Sequence, residues 1–311
     1  MGAIIEAFGL TKKFGNLIAL NNVNIKVNRG SVFGFLGPNG AGKTTMVRVL
    51  NGILKPSAGA VRLFGEDIST DGELIRKRCG VQTDTNLYER LSAEENLQLW
   101  GELYGLDASL LKTRTDSLLR TWGLGGRGKD LVSNFSKGMK QKLAIARALI
   151  PEPEILFLDE PTAGLDPEAS EELLRYLKKY VKGGEKTVFI CSHRLEEMEG
   201  LCDYVAVINK GVILAEGNVE ELKKKLWREN WFFVELETAK TNFTSMLKKE
   251  SFVSTVIGEK NGIRVSLRNN GDIPKAVSAL VQKGARILSV RKEEHTLKDL
   301  YFKLIPKENK Q

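Results

Sequence analysis

The sequence has no apolar run near the ~20 residues that a membrane-spanning helix requires; stretches such as Ile155 to Leu158 are only strand-length. That excludes a chain that builds a helical membrane channel of its own. The opening residues, Met1 to Leu10, lack a basic stretch leading into an apolar one and lack a cleavage site, so no secretory leader is expected. Cysteine is scarce, and its three positions, Cys79, Cys191 and Cys202, are odd in number and scattered. Reduced thiols in a cytosolic protein suit that pattern better than a disulfide framework. Basic residues never form a run of five, which favours a solvated lysine-rich surface over a nucleic-acid or anionic-membrane patch.

What is present is an ordinary soluble composition, 42% hydrophobic and 28% charged. The 311 residues suffice for one large or two ordinary domains. The net charge of +8 is unevenly placed: Lys223 to Gln311 holds 19 Lys and Arg against 10 Asp and Glu, so the basic excess belongs to the C-terminal third.

Up to about residue 80, short β-type stretches (Val23 to Val27, Ser31 to Leu36, Ala60 to Leu63) alternate with turn residues, interrupted by one helix, Gly42 to Leu50. Residues 85 to 150 are mostly helical in pattern. Ser92-Ala93-Glu94-Glu95 reads as a capping box opening a helix with Leu97, Trp100 and Tyr104 on one face, expected to be core. A buried strand (Ile155 to Leu158), a helix (Glu168 to Val181), a strand (Thr187 to Cys191) and a short helix near Arg194 follow. This alternation predicts an α/β sandwich with a largely parallel sheet. The hairpin Val205 to Ile208 and Gly211 to Ala215 closes the first domain, and Glu220 to Arg228 reads as a connecting helix. Beyond it lie strand Trp231 to Leu236, helix Phe243 to Lys249, strands Phe252 to Ile257 and Ile263 to Leu267, helix Ile273 to Lys283 and strand Arg286 to Arg291. That βαββαβ order is the ferredoxin-like pattern. Gly258 to Gly262 is expected as its hairpin loop, Asp272 or Asn270 as a helix cap, and Thr296 to Ile305 as a last helix stopped by Pro306.

The chemistry starts at Gly37-Pro38-Asn39-Gly40-Ala41-Gly42-Lys43-Thr44, followed by Thr45. It fits the phosphate-loop spacing G-x-x-x-x-G-K-[ST], with a buried strand before it and a helix after it. Phosphate oxygens need backbone N–H groups at close range, so glycines remove obstructing Cβ atoms while the helix N-terminus adds its positive end. Lys43 is expected to neutralise the β- and γ-phosphates of a bound nucleotide, and the Thr44 hydroxyl to take a Mg²⁺ ligand position. Asp159, ending the apolar strand Ile155-Leu156-Phe157-Leu158, is the expected second Mg²⁺ partner. Glu160 follows it, placed to orient or deprotonate an attacking water.

In this order and spacing, residues 1 to about 222 resemble the ATP-binding subunits of ABC transporters. The resemblance implies a P-loop NTPase fold, a RecA-like core with antiparallel β and helical subdomains (the latter about 85–150); residues 223–311, beyond it, read from their own pattern as a C-terminal α+β accessory domain. It implies that Phe14 stacks on adenine and that Gln82 touches metal and catalytic water. It likewise implies that Asp166 communicates across a dimer and that His193, one of only two histidines, contacts the γ-phosphate. Phe135-Ser136-Lys137-Gly138-Met139 stands at the family's Leu-Ser-Gly-Gly-Gln signature. Ser136 and Gly138 match it, while Lys137 and Met139 replace a Gly and a Gln. In the family, the signature of one subunit completes the ATP site of a second, so the cofactors are ATP and Mg²⁺ and the partner is another ATP-binding subunit.

The last helix, His295 to Leu304, resembles the ending of daunorubicin-resistance and sodium-export ATPases, which work with ABC-2 type integral permeases. Export at the cytoplasmic face of the cell membrane is the implied role, with no direct nucleic-acid partner. The rival is a soluble ABC-type ATPase of DNA repair or translation. No sustained heptads separate the phosphate loop from Asp159, and only one phosphate loop is present, against both forms of that rival.

Overall fold

Two long strands, β1 (Ala3–Phe14) and β2 (Leu17–Asn28), pair antiparallel from Phe14↔Leu17 outward. The buried β3 (Val32–Leu36) leads through the glycine-rich loop into α1 (Lys43–Leu50). Next come β4 (Ala58–Leu63), β5 (Glu66–Asp67), α2 (Gly72–Lys77) and β6 (Cys79–Gln82). Helices α3 (Ala93–Leu103), α4 (Ala108–Thr121) and α5 (Lys137–Leu149) fill the next stretch. The chain then runs through β7 (Ile155–Asp159), α6 (Pro167–Val181), β8 (Thr187–Ser192), α7 (Leu195–Glu199), β9 (Tyr204–Asn209) and β10 (Val212–Asn218). After α8 (Val219–Leu226) come β11 (Asn230–Leu236), α9 (Thr241–Leu247), β12 (Val253–Glu259), β13 (Gly262–Leu267), α10 (Ile273–Gln282), β14 (Ile287–Lys292) and α11 (Leu297–Leu304). These elements come from a computed structural model, which describes residues 2–83, 86–227, 230–238 and 241–305.

The chain divides into two compact units, Met1–Val219 with Tyr301–Gln311, and Glu220–Leu300. In the first, a six-stranded sheet has the order β10-β9-β3-β8-β7-β6, parallel except where β10 pairs with β9. Its central strands are buried along their whole length and largely apolar, as expected of a parallel sheet covered on both faces. Phe189 on β8 lies 5.5 Å from Phe33 and Phe35 on β3 and 5.7 Å from Phe157 on β7, so aromatic packing locks these three strands side by side. A second, antiparallel sheet has the order β2-β1-β4-β5 and shares the buried core through residues such as Leu10, Leu20 and Val61.

The expected capping box is present. Ser92 Oγ accepts from Glu95 N at 3.2 Å and Glu95 Oε2 accepts from Ser92 N at 2.7 Å. The Leu97–Trp100–Tyr104 face is packed as expected: Leu97 is buried, Trp100 lies under the Arg147 guanidinium at 4.7 Å, and the Tyr104 hydroxyl donates to Cys79 O at 3.1 Å.

The smaller unit has the sheet order β12-β13-β11-β14, antiparallel throughout, which is the split βαβ arrangement of the ferredoxin-like pattern. Its own core gathers Phe232, Val234, Phe243, Val256, Val265 and Leu280. One local expectation is corrected and one refined here. Glu259 pairs directly with Gly262, so the hairpin loop is Lys260-Asn261 rather than five residues. Asp272 is the N-cap residue of α10, as expected, but its carboxylate pairs with Lys275 at 2.8 Å instead of making a capping bond. Pro306 and Arg228 lie outside the described residues.

Candidate functional site

Register decides what meets what. Leu36 of β3 stands opposite Ser192 of β8, and Asp159 of β7 opposite Cys191. The carboxyl ends of three adjacent parallel strands therefore deliver the glycine-rich loop, the Asp159-Glu160 pair and the Ser192-His193 turn to one edge, where loops of parallel sheets build sites.

The loop requires glycine at two positions for steric reasons. A Cβ on Gly37 would lie 2.4 Å from Ile208 O, and one on Gly42 2.4 Å from Ala19 O, where φ is also +110°. The first turn of α1 carries no acidic residue and its start has no side-chain cap, which leaves its N–H groups suited to an anion. Lys43 is buried; its Nζ donates to Gly37 O at 2.8 Å and Pro38 O at 3.3 Å and lies 3.5 Å from Glu160 Oε1. Thr44 Oγ1 donates to Asp159 Oδ2 at 2.6 Å.

Glu160 holds a φ of +50°, a region that side chains with a Cβ occupy at a cost of about 1–3 kcal/mol. Its own N–H fixes it by donating to Cys191 O at 2.9 Å. Glu160 Oε2 is 2.8 Å from His193 Nδ1 and 3.4 Å from Ser192 Oγ. Glu160 Oε1 is buried without a hydrogen bond, although Lys43 is within ion-pair reach. Burial raises the Asp159 carboxyl above its ordinary range, against the lowering effect of the Thr44 hydrogen bond. Gln82 ends β6, is buried, and its Oε1 has no hydrogen-bond partner.

These donors suit a small hard cation. A hydroxyl, a carboxylate and an orphaned amide oxygen are all oxygen ligands, and a cation would offset the burial of Asp159. Among the described residues no cluster of three or more His, Cys, Asp or Glu could hold a metal. The set therefore fits Mg²⁺ shared with phosphates and water rather than caged by protein.

A cleft of about 540 Å³ runs from Phe14 past the loop to Asp159 and Glu160. Phe14 is 45% exposed and lines the cleft, with Lys12 Nζ over its ring at 5.0 Å from the centroid. Leu17, Ile18, Ala19, Thr83 and Lys210 also line the cleft; sequence reasoning missed all five. Leu17 and Ile18 carried one usable signal, two large apolar residues beside the exposed turn Gly15-Asn16.

Ser136, Gly138 and Asp166 do not line this cleft. Ser136 caps α5, its Oγ accepting from Met139 N at 3.2 Å, and a Cβ on Gly138 would lie 3.2 Å from Gly164 O. The Lys137 stem packs over Gly164, a contact absent from the sequence reading. Asp166 caps α6 through Ala169 N at 2.8 Å. Among the described residues no helix is long and apolar enough to cross a membrane.

With this geometry in view, known proteins give the class. The ABC transporter family model matches residues 20–163, and the model of the DrrA1-3-like ATP-binding protein C-terminal domain matches 217–305. The bacitracin transport ATP-binding protein BcrA of Bacillus licheniformis is 36% identical over 307 residues, covering 98% of each chain. The daunorubicin resistance ATP-binding protein DrrA3 of Streptomyces coeruleorubidus is 42% identical over 220 residues, covering 70% of this chain and 69% of that one. A solved dimeric ATP-binding cassette in a post-hydrolysis state with ADP and Pi superposes with a TM-score of 0.64 at 28% identity, covering 69% of this chain and 98% of that one. The chain belongs to the ATP-binding proteins of ABC transporters, in the exporter branch with a DrrA-like C-terminal domain. It is an ATP-hydrolysing subunit that energises transport through a separate permease.

Proposed function

We propose that this chain is one of two ATP-binding subunits that close around two ATP molecules at the cytoplasmic face of the membrane and drive export through an ABC-2 type permease. In this reading residues 1–222 are the ATP-binding cassette, with the helical part at about 85–150, and 223–311 are an accessory domain. The observation that carries it is the meeting of Lys43, Thr44, Asp159, Glu160 and His193 at one sheet edge.

Each side chain then has a task. Phe14 offers its exposed face to adenine. The loop Gly37 to Gly42 and the first turn of α1, including Thr45, surround the phosphates with N–H groups, and Lys43 neutralises the β- and γ-phosphates. Thr44, Asp159 and Gln82 would hold Mg²⁺, which supplies charge neutralisation on the phosphate oxygens when bound. Glu160 accepts a proton from, or orients, the attacking water, and His193 steadies the Glu160 carboxylate through Nδ1 at 2.8 Å. Ser136 and Gly138 lie outside this chain's own cleft, which supports their serving the γ-phosphate of a second subunit's ATP, with Asp166 at the same junction. ATP would drive transport by binding the closed pair more tightly than the open one.

Gly138→Asp tests the two-subunit site, because it sets a carboxylate where a γ-phosphate is to dock. Hydrolysis is expected to fall about 100-fold, the scale of losing preorganised phosphate stabilisation, while ATP binding to the separated chain is unchanged. Undiminished phosphate release would remove the signature from the site.

A further inference from the structure

Between Glu160 and α6 runs Pro161-Thr162-Ala163-Gly164-Leu165, a segment held from two sides. On one side Gln141 of the signature helix α5, itself buried, donates from Nε2 to Pro161 O at 2.8 Å. On the other, the hydroxyl of Thr162, only 1% exposed, donates to Glu197 Oε2 of α7 at 2.6 Å. The second oxygen of Glu197 accepts from Arg194 Nη1 at 2.9 Å, and Arg194 N donates to Ser192 Oγ at 3.0 Å. Ser192 and His193 both reach Glu160. The chain of bonds is therefore continuous from the signature helix, past the residues next to Glu160, to the turn that carries His193.

We propose that Gln141, Thr162 and Glu197 form a hydrogen-bonded bar that sets the Glu160–His193 contact, with Thr162 and Glu197 as positioning residues for hydrolysis. Resting on the two-subunit reading, the bar also ties the signature that serves one ATP to the hydrolytic carboxylate that serves the other. The physical basis is burial. A short bond from a buried hydroxyl to a carboxylate is charge-assisted, and it fixes a loop that directly follows the strained backbone of Glu160. Neither Thr162 nor Glu197 lines the nucleotide cleft, so their loss acts on geometry rather than on ATP affinity.

Thr162→Val keeps the volume and removes the donor. The expected result is a kcat lowered about tenfold, the scale of one lost charge-assisted bond, with half-saturating ATP within about twofold. Thr162→Ser restores the rate, and Thr162→Val with Glu197→Leu is no slower than Glu197→Leu alone, because the Thr162–Glu197 bond cannot be lost twice. A wild-type kcat in Thr162→Val, additive losses in the double variant, or a matching loss of ATP binding would overturn the proposal. Glu197→Leu, on the more exposed side of the bond, supplies the same reading should Thr162→Val fold poorly. Gly138→Asp separates the two ideas: normal hydrolysis there removes the two-subunit reading, while the Thr162 result still reports on Glu160 within its own chain.

Discussion

Glu160→Gln is expected to lower ATP turnover by about 100- to 10,000-fold, the range that positioned general bases contribute. The substitution keeps size and hydrogen-bonding capacity but removes the charge that faces Lys43 at 3.5 Å and His193 at 2.8 Å. ATP binding is expected to persist, because the loop, Lys43 and Thr44 are untouched. A variant that binds without hydrolysing accumulates the ATP-closed state, so the paired form is expected to be long-lived by light scattering in ATP. Phosphate release at the wild-type rate would take the hydrolytic role from Glu160.

Lys43→Ala carries the second large effect, on binding. Lys43 is the buried cation at the mouth of the loop, and its ammonium is poised among Gly37 O, Pro38 O and Glu160. Bonds to charged groups are worth about 1.5–3 kcal/mol each, so losing contacts to two phosphates weakens ATP by at least about 100-fold. The change also leaves Glu160 Oε1 buried without its nearest cation, which adds repulsion against an incoming triphosphate. Nucleotide titration by fluorescence or calorimetry checks it. Unchanged affinity would show that phosphate recognition lies elsewhere.

How much of this could be read without coordinates follows from range. The phosphate loop, its strand and its helix are contiguous, and local chemistry dictates them: two glycines without room for a Cβ, a lysine and a hydroxyl. The Ser92 capping box is likewise local and reads directly. The βαββαβ order was legible because strand and helix periods alternate cleanly from Trp231 onward. Strand β1 was not read, because register shifts near Ala7 and Leu10 and the left-handed Gly9 break its alternation. Helix α2 is six residues long, too short for a periodic signal. Within the site, Asp159 and Glu160 announce themselves by following an apolar strand. The Thr162–Glu197 bond joins a loop residue to one on α7, 35 positions apart, and no local pattern marks it. Asp272 sits at the N-cap of α10 as its type predicts, but its carboxylate pairs with Lys275, which no sequence pattern announces.

The central claim is that this ATPase powers a permease held in another chain. The most direct test is recovery of the native protein, with whatever it binds, from cells grown without overexpression. A complex with a polytopic membrane protein, whose ATPase activity disappears in Lys43→Ala, is the predicted result. Recovery only in the soluble fraction with ribosomes or nucleic acid would contradict it.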